Sequence, residues 1–470
     1  MKVTLITPHV GRKSRTEYVR TWQMEPLTIA TLAGLTPADV ELAYFDERME
    51  TIDFDQPTDL VAVTIETYTA KRAYEICAEY RKRGVKTILG GYHVMLLPDE
   101  AQRYADSILI GYAEVLWEKV IRDAEHGVLK RRYVQNKTEP YQYVMPRRDI
   151  FGTRQYLPMS NVETGRGCPF SCGFCSIAAA TSSHYHPRPI DSVVADVASI
   201  RHKTAFFVED NFVGNPKHAK QLCREIAPLK VKWMGQGSLT MAKDDELLEA
   251  MALSGCLGVL VGFESLRADT LKLMNKEFNT KLGNYKELIK KMHSYGIAIY
   301  GTFIFGYDSE SVADIQTTVE AALDFGIFIG AFNPLIPFPG TPLYQQFQNE
   351  GRLTDEPWWL SPSFRFGDVP FTPRNMTATE LHDGCITARK KFYSYPGILK
   401  RAGNIVGNCS TVSKAGGYFW LNYLLRKEIS QKDRLPLGDK PERPSAICVP
   451  EEGIHQSQIV SVVPKESVLA

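Results

Sequence analysis

No apolar run in the 470-residue sequence approaches the roughly 20 residues a membrane-spanning helix needs, so no span is expected. Neither charge is in surplus. The 55 Lys and Arg balance 54 Asp and Glu to a net charge of +1, which leaves no basic footprint for nucleic acid and no field for an acidic partner. A signal-peptide pattern is missing from residues 1–8, MKVTLITP, which read as a first strand. Cysteines are few and odd in number, nine in all, with three crowded into one loop. That usage excludes a disulfide framework and implies a reducing, cytoplasmic setting.

The crowded loop is Cys168-Pro-Phe-Ser-Cys172-Gly-Phe-Cys175, spaced C-x3-C-x2-C. It follows an apparent strand at 161–164 and a Gly165-Arg166-Gly167 turn. Three thiolates on one short loop each bind an iron of a [4Fe–4S] cube, whose full set is four ligands, so one iron stays open to an exogenous ligand. A structural zinc site needs a fourth ligand, and no second C-x2-C pair supplies it. Core packing does not explain three cysteines among glycines and a proline.

This loop resembles the signature of the radical S-adenosylmethionine (SAM) superfamily. The resemblance implies that SAM chelates the open iron through its amino and carboxylate groups. An electron from the cluster then breaks a carbon–sulfur bond of the sulfonium, usually giving a 5′-deoxyadenosyl radical. It also implies oxygen sensitivity and an external low-potential electron donor of flavodoxin or ferredoxin type. Phe174 matches the aromatic residue that the family places beside the adenine.

The expected fold class is α/β throughout. Apolar, β-branched runs at 3–7, 42–45, 60–64, 85–89 and 107–110, with a helical pattern at Ala73, Ile76, Cys77 and Tyr80, predict a Rossmann-like, doubly wound parallel sheet with ligand space at its strand C-termini. Residues 1–145, carrying Leu89-Gly-Gly-Tyr-His-Val and Ile110-Gly-Tyr-Ala-Glu-Val, resemble the cobalamin-binding domain of one branch of radical SAM enzymes. The D-x-H-x-x-G motif that gives cobalt a histidine in that branch is absent, so the resemblance leaves cobalamin binding open. His93 reads as structural, with a ligand or substrate contact as the functional alternative.

Residues 146–160 read as a linker. From 161 to 345, strands at 161–164, 205–209, 232–238, 258–264, 298–305 and 330–335 alternate with helical faces. Six units are two short of a closed barrel, and a partial (βα)6 barrel with a lateral opening is what the resemblance implies. Residues 346–430 read as a small, mainly helical and aromatic region, with helices at 377–393 and 416–429. Its Trp358-Trp359 segment reads as core, or as a substrate lid. Residues 431–470 read as a poorly ordered tail.

Polar residues gather at the predicted C-terminal strand ends, where α/β barrels place their chemistry. By resemblance, Glu209, Asp210 and Asn211 contact the SAM amino group, and Ser238 and Glu264 lie near its ribose and methionyl parts. Gly306 and Glu310, in Gly301-Thr-Phe-Ile-Phe-Gly306-Tyr-Asp-Ser-Glu310, which resembles the family's G-x-I-x-G-x-x-E pattern with one more residue in the first and last spacings, line the adenine. Each alone also reads as an N-cap or turn residue. His184 and His186, in a barrel-top loop, read as loop or substrate contacts rather than a second metal site.

The sequence thus predicts an enzyme that opens SAM reductively and modifies a small molecule of specialised or cofactor metabolism. Cobalamin-assisted methylation is one outcome. Hydrogen abstraction with cyclisation or rearrangement, and transfer of a 3-amino-3-carboxypropyl group, are the cobalamin-independent alternatives. A non-catalytic iron–sulfur carrier is disfavoured, because it normally needs four cysteines.

Overall fold

The computed structural model describes residues 1–11, 23–136 and 142–438. Two parallel six-stranded sheets organise it. The first comprises β1 (Lys2–Thr7), β2 (Glu41–Asp46), β3 (Leu60–Thr64), β4 (Lys86–Gly90), β5 (Ser107–Ile110) and β6 (Arg132–Val134). Their order is β2-β1-β3-β4-β5-β6. Runs such as Val3-Thr-Leu-Ile and Leu60-Val-Ala-Val are buried on both faces, as a parallel sheet between helical layers requires. Apolar clusters fill both sides, one around Val61, Val63 and Ile76, the other around Leu5, Ile88 and Trp117. The order reverses between β1 and β3, the switch point at which such sheets open a crevice. β6 escaped the sequence reading because only its central Tyr133 is buried.

The second sheet contains β7 (Ser160–Val162), then, past a separate hairpin, β10 (Thr204–Phe207), β11 (Lys232–Gly237), β12 (Cys256–Glu264), β13 (Ala298–Phe305) and β14 (Ile329–Pro334). Sequential order from β7 to β14, all parallel, makes this the expected six-unit open barrel. Burial alternates along its strands. On β13, Ile299, Phe303 and Phe305 are fully buried against the helices, whereas Tyr300, Thr302 and Ile304 on the inner face are only partly covered. The outer face is thus sealed, and the inner face is only partly covered.

Residues 146–160 do more than link. Arg48, Arg154 and Tyr156 converge on Asp46, Glu50 and Tyr44, fastening this segment to the first sheet. The Trp358-Trp359 segment is core, not lid. Both indoles are buried, with Trp359 donating to Glu100 at 3.0 Å and Trp358 to the carbonyl of Pro337 at 3.1 Å. The last helix runs from Val412 to Lys432, longer than expected. Residues 431–438 of the expected tail belong to the fold, since Leu437 is buried and Pro436 and Gly438 bridge to Arg365 and Gly11. The remainder of that tail lies outside the described residues.

Candidate active site at the barrel mouth

The segment Gly165–Gly167 is a strand, β8, not the expected turn, and pairs antiparallel with β9 (Tyr185–Pro187). Its glycines allow close backbone approach rather than reversal. A Cβ on Gly167, at φ +80°, would fall 1.9 Å from the carbonyl oxygen of His184.

The loop after β8 carries Cys168, Cys172 and Cys175, all free thiols. The Cys175 amide donates to the Cys172 carbonyl at 3.1 Å, and Cys175 precedes the helix Ser176–Thr181. Neighbouring segments clamp the loop. Gly173 donates its amide to Met274 at 3.0 Å and accepts from Leu343 at 3.0 Å. Asn275 Nδ2 donates to the Ser171 carbonyl at 2.8 Å, and Phe170 stacks on Phe278 at 3.9 Å between centroids. Burial pushes all three thiols up, Cys172 to about 11, while the Lys276 ammonium pulls Cys168 and Cys172 the other way. Among the described residues no three His, Cys, Asp or Glu side chains gather tightly enough for a metal ion. A single-ion site needs that convergence; a multi-iron cluster does not. Phe174 packs on the edge of the barrel core.

Strand ends bring the polar candidates to the same mouth. Past β10, Glu209 is buried, with Oε2 accepting from Thr164 and Oε1 lacking a partner. Asp210 accepts from the Gly167 amide at 2.8 Å. Asn211 joins two elements: its Nδ2 lies 3.6 Å from Cys168 Sγ, and its Oδ1 accepts from the Ser238 amide at 3.1 Å. Past β12, Glu264 adopts φ +61° and pairs with Lys276 at 2.8 Å, both side chains about nine-tenths buried. Glu310 turns inward on its own loop, accepting from Ser265 Oγ at 2.9 Å and from the Gly306 and Tyr307 amides at 3.0 and 3.3 Å. A Cβ on Gly306, at φ +116°, would meet Leu381 at 2.6 Å.

Burial pushes the carboxyls of Glu209, Asp210 and Glu310 up to about 8, 6 and 7. A carboxyl that ionises less readily when folded takes up a proton on folding. Its contribution is therefore full below the unfolded value and falls as pH rises toward the folded one. The ligand-free protein is expected to lose stability at Glu209 between about pH 4.5 and 8. Glu209→Gln should flatten that part of the profile and raise the melting temperature at pH 8, measured by thermal unfolding in parallel buffers. Equal slopes for the two proteins would contradict the assignment.

His93 does not face this site. It is fully buried between Thr67 and Glu100, at 3.2 and 3.1 Å. His184 bonds the Ser182 carbonyl at 2.8 Å, and its ring centroid is 6.4 Å from that of His186.

Sequence motifs missed three residues. Lys276 lies in a connection between helices, outside any pattern. Arg166, two residues before Cys168, pairs with Glu163 and with Glu114 past β5, and stacks over Tyr112 at 4.6 Å. It thereby fixes the C-terminal edge of the first sheet beside the cysteine loop. Arg389, on the helix Ala378–Phe392, donates to the Phe332 carbonyl at 2.9 Å and to Asn333 Oδ1 at 2.7 Å at the open edge of β14. It has no carboxylate partner among the described residues.

A family model, the radical SAM superfamily, matches residues 162–322. The bacteriochlorophyllide d C-12(1)-methyltransferase of Chlorobaculum tepidum is 30% identical over 389 residues, 80% of this chain and 84% of that protein. The C-8(2)-methyltransferase of the same organism is 29% identical, covering 71% and 78%. Among solved structures, the methyltransferase TsrM from Kitasatospora setae, with cobalamin and a [4Fe–4S] cluster bound, superposes with TM-score 0.58 at 18% identity over 74% of this chain and 75% of that one. The cysteine loop, the two parallel sheets and these relationships agree: the chain belongs to the radical SAM superfamily, in the branch whose barrel follows a cobalamin-binding-like domain.

Proposed function

We propose that this enzyme methylates carbon on a large, largely apolar ring that bears an acidic side group, a tetrapyrrole of the chlorophyllide kind. The observation that carries the reading is the shared mouth. The cysteine loop, the strand-end carboxylates and the partly covered inner face of the barrel open on one side, next to the turn that ends β5. Cytoplasmic residence and a low-potential flavodoxin- or ferredoxin-type donor complete the reading.

The donor set fits the expected cofactors. Cys168, Cys172 and Cys175 would hold the cluster, with the Lys276 ammonium favouring the thiolates it needs. The orphaned Oε1 of Glu209 suits a cationic group such as the SAM ammonium. Asp210 and Asn211 flank it, Ser238 offers a hydroxyl, and Phe174 an aromatic face. Glu310 and Gly306 act at one remove, holding the ends of β12 and β13 together. Cobalamin would lie over the C-terminal edge of the first sheet without a histidine from it, because His9 and His93 are both buried against carboxylates. When bound, the cluster supplies the electron that opens SAM, and cobalamin supplies a carrier for a methyl group. The chain's own part is to hold SAM by its ammonium, to exclude water from the barrel and to orient the ring.

Arg389 is the orienting cation. A half-buried guanidinium with neutral partners matches a substrate carboxylate through charge-assisted hydrogen bonds. Arg389→Gln is expected to raise KM for a carboxylated ring about 10- to 100-fold with kcat little changed. The assay follows methyl-labelled SAM into a chlorophyllide-type acceptor. Label in the ring, with that KM shift, supports the reading; an unchanged KM, or no label in any carboxylated ring, overturns it.

A further inference from the structure

The last helix, Val412–Lys432, is apolar on two sides. Tyr418, Leu425 and Ile429 are buried in the fold. Facing away from them, Val412, Phe419, Trp420 and Tyr423 stand 93%, 44%, 56% and 42% exposed, at spacings that place them on one stripe. The adjoining helix Tyr395–Ala402 adds exposed Tyr395 and Leu399, and Ile405 and Val406 follow in the next short helix. These helices are joined at the surface, since Arg426 lies 4.6 Å over the Tyr395 ring and Tyr418 donates to the Ile398 carbonyl at 2.7 Å. An exposed apolar face of this extent, rich in aromatic rings, marks an interaction surface.

Its charge is one-sided. From Gly384 to Lys427 the sequence has no Asp or Glu, in a chain whose charges balance only when this segment is counted. Lys390, Lys391, Lys400, Lys414, Arg426 and Lys427 lie along it. Two of these are offset by Glu320 and Asp324 on the helix Val312–Asp324, and Lys414 bonds the Gly296 carbonyl at 2.7 Å. Arg426 and Lys427 flank the aromatic stripe, Lys427 lying 4.6 Å over the Tyr423 ring. Aromatic and aliphatic side chains ringed by bases are the surface chemistry of a helix lying in an anionic headgroup layer. A second copy fits less well, because a two-fold contact would set these bases against one another.

We propose that this face seats the enzyme on an anionic lipid surface, in the plane of the headgroups. No helix among the described residues is long and apolar enough to cross the membrane. The face flanks the entry to β14, where Arg401 holds the carbonyls of Ile327 and Phe328, while the cysteine loop lies at the opposite, C-terminal mouth. Substitutions here therefore leave the site untouched.

The test is co-sedimentation of the full chain with vesicles of phosphatidylcholine alone or mixed with phosphatidylglycerol. Wild type should bind the mixed vesicles and release with added salt. Phe419→Ser with Trp420→Ser should lower the partition at least about tenfold, and Arg426→Glu with Lys427→Glu should do so independently, both with unchanged SAM cleavage. Wild type remaining in the supernatant, or both double variants binding as wild type does, would overturn the proposal. So would a wild-type dimer, without vesicle binding, that the first variant converts to monomer, which would assign the face to a second copy.

Discussion

Replacing Cys168, Cys172 or Cys175 with alanine should abolish iron binding and turnover together. Two thiolates cannot hold a cube with one open iron, and among the described residues the other cysteines lie on other elements, most of them buried. Cys223, Cys256 and Cys385 are buried in the barrel core, where desolvation keeps their thiols neutral. Alanine at any of those three should leave iron content unchanged and serves as the control. Iron and sulfide analysis, with the EPR spectrum of the reduced protein before and after SAM, reads both effects. An active variant with a full cluster would overturn the assignment of the loop.

Lys276→Met should destabilise the protein by about 3–5 kcal/mol, the usual result of stripping the partner from a buried ion pair. Glu264 would be left buried at the end of β12, on a residue already held at φ +61°. Adding Glu264→Gln should return much of the loss, because the uncompensated charge is then gone. Denaturant unfolding of the two single variants and the double measures the coupling. Additive effects would mean that the pair does not act as a unit. The single Lys276→Met variant should also load less iron, since it removes the cation beside Cys172.

The fold was legible wherever burial dictated residue type. Runs such as Val61–Val63 and Ile299–Phe305 read as strands because both faces, or one complete face, are sealed. Weaker elements followed weaker burial. β6 has a single buried residue, and the glycines of β8 signal tight geometry without saying whether it is a turn or a close strand pairing. The cysteine loop was legible because its chemistry lies within eight adjacent positions. The supporting residues were not. Lys276, Arg166 and Arg389 matter through partners distant in the chain, Glu264, Glu114 and Asn333, and no local pattern records such a pairing. Glu310 shows the converse. Its motif was visible, but only the structure shows the carboxylate spent on Ser265 and its own loop.

The central claim is that this chain opens SAM reductively and passes a methyl group to its substrate. Product analysis of SAM tests it most directly, using anaerobically reconstituted and reduced enzyme with and without cobalamin. 5′-Deoxyadenosine with methionine, from the reductive step, together with S-adenosylhomocysteine that appears only with cobalamin, from the methyl transfer, is the expected result. 5′-Methylthioadenosine above its spontaneous background, with no dependence on cobalamin, would contradict the account and indicate aminocarboxypropyl transfer instead.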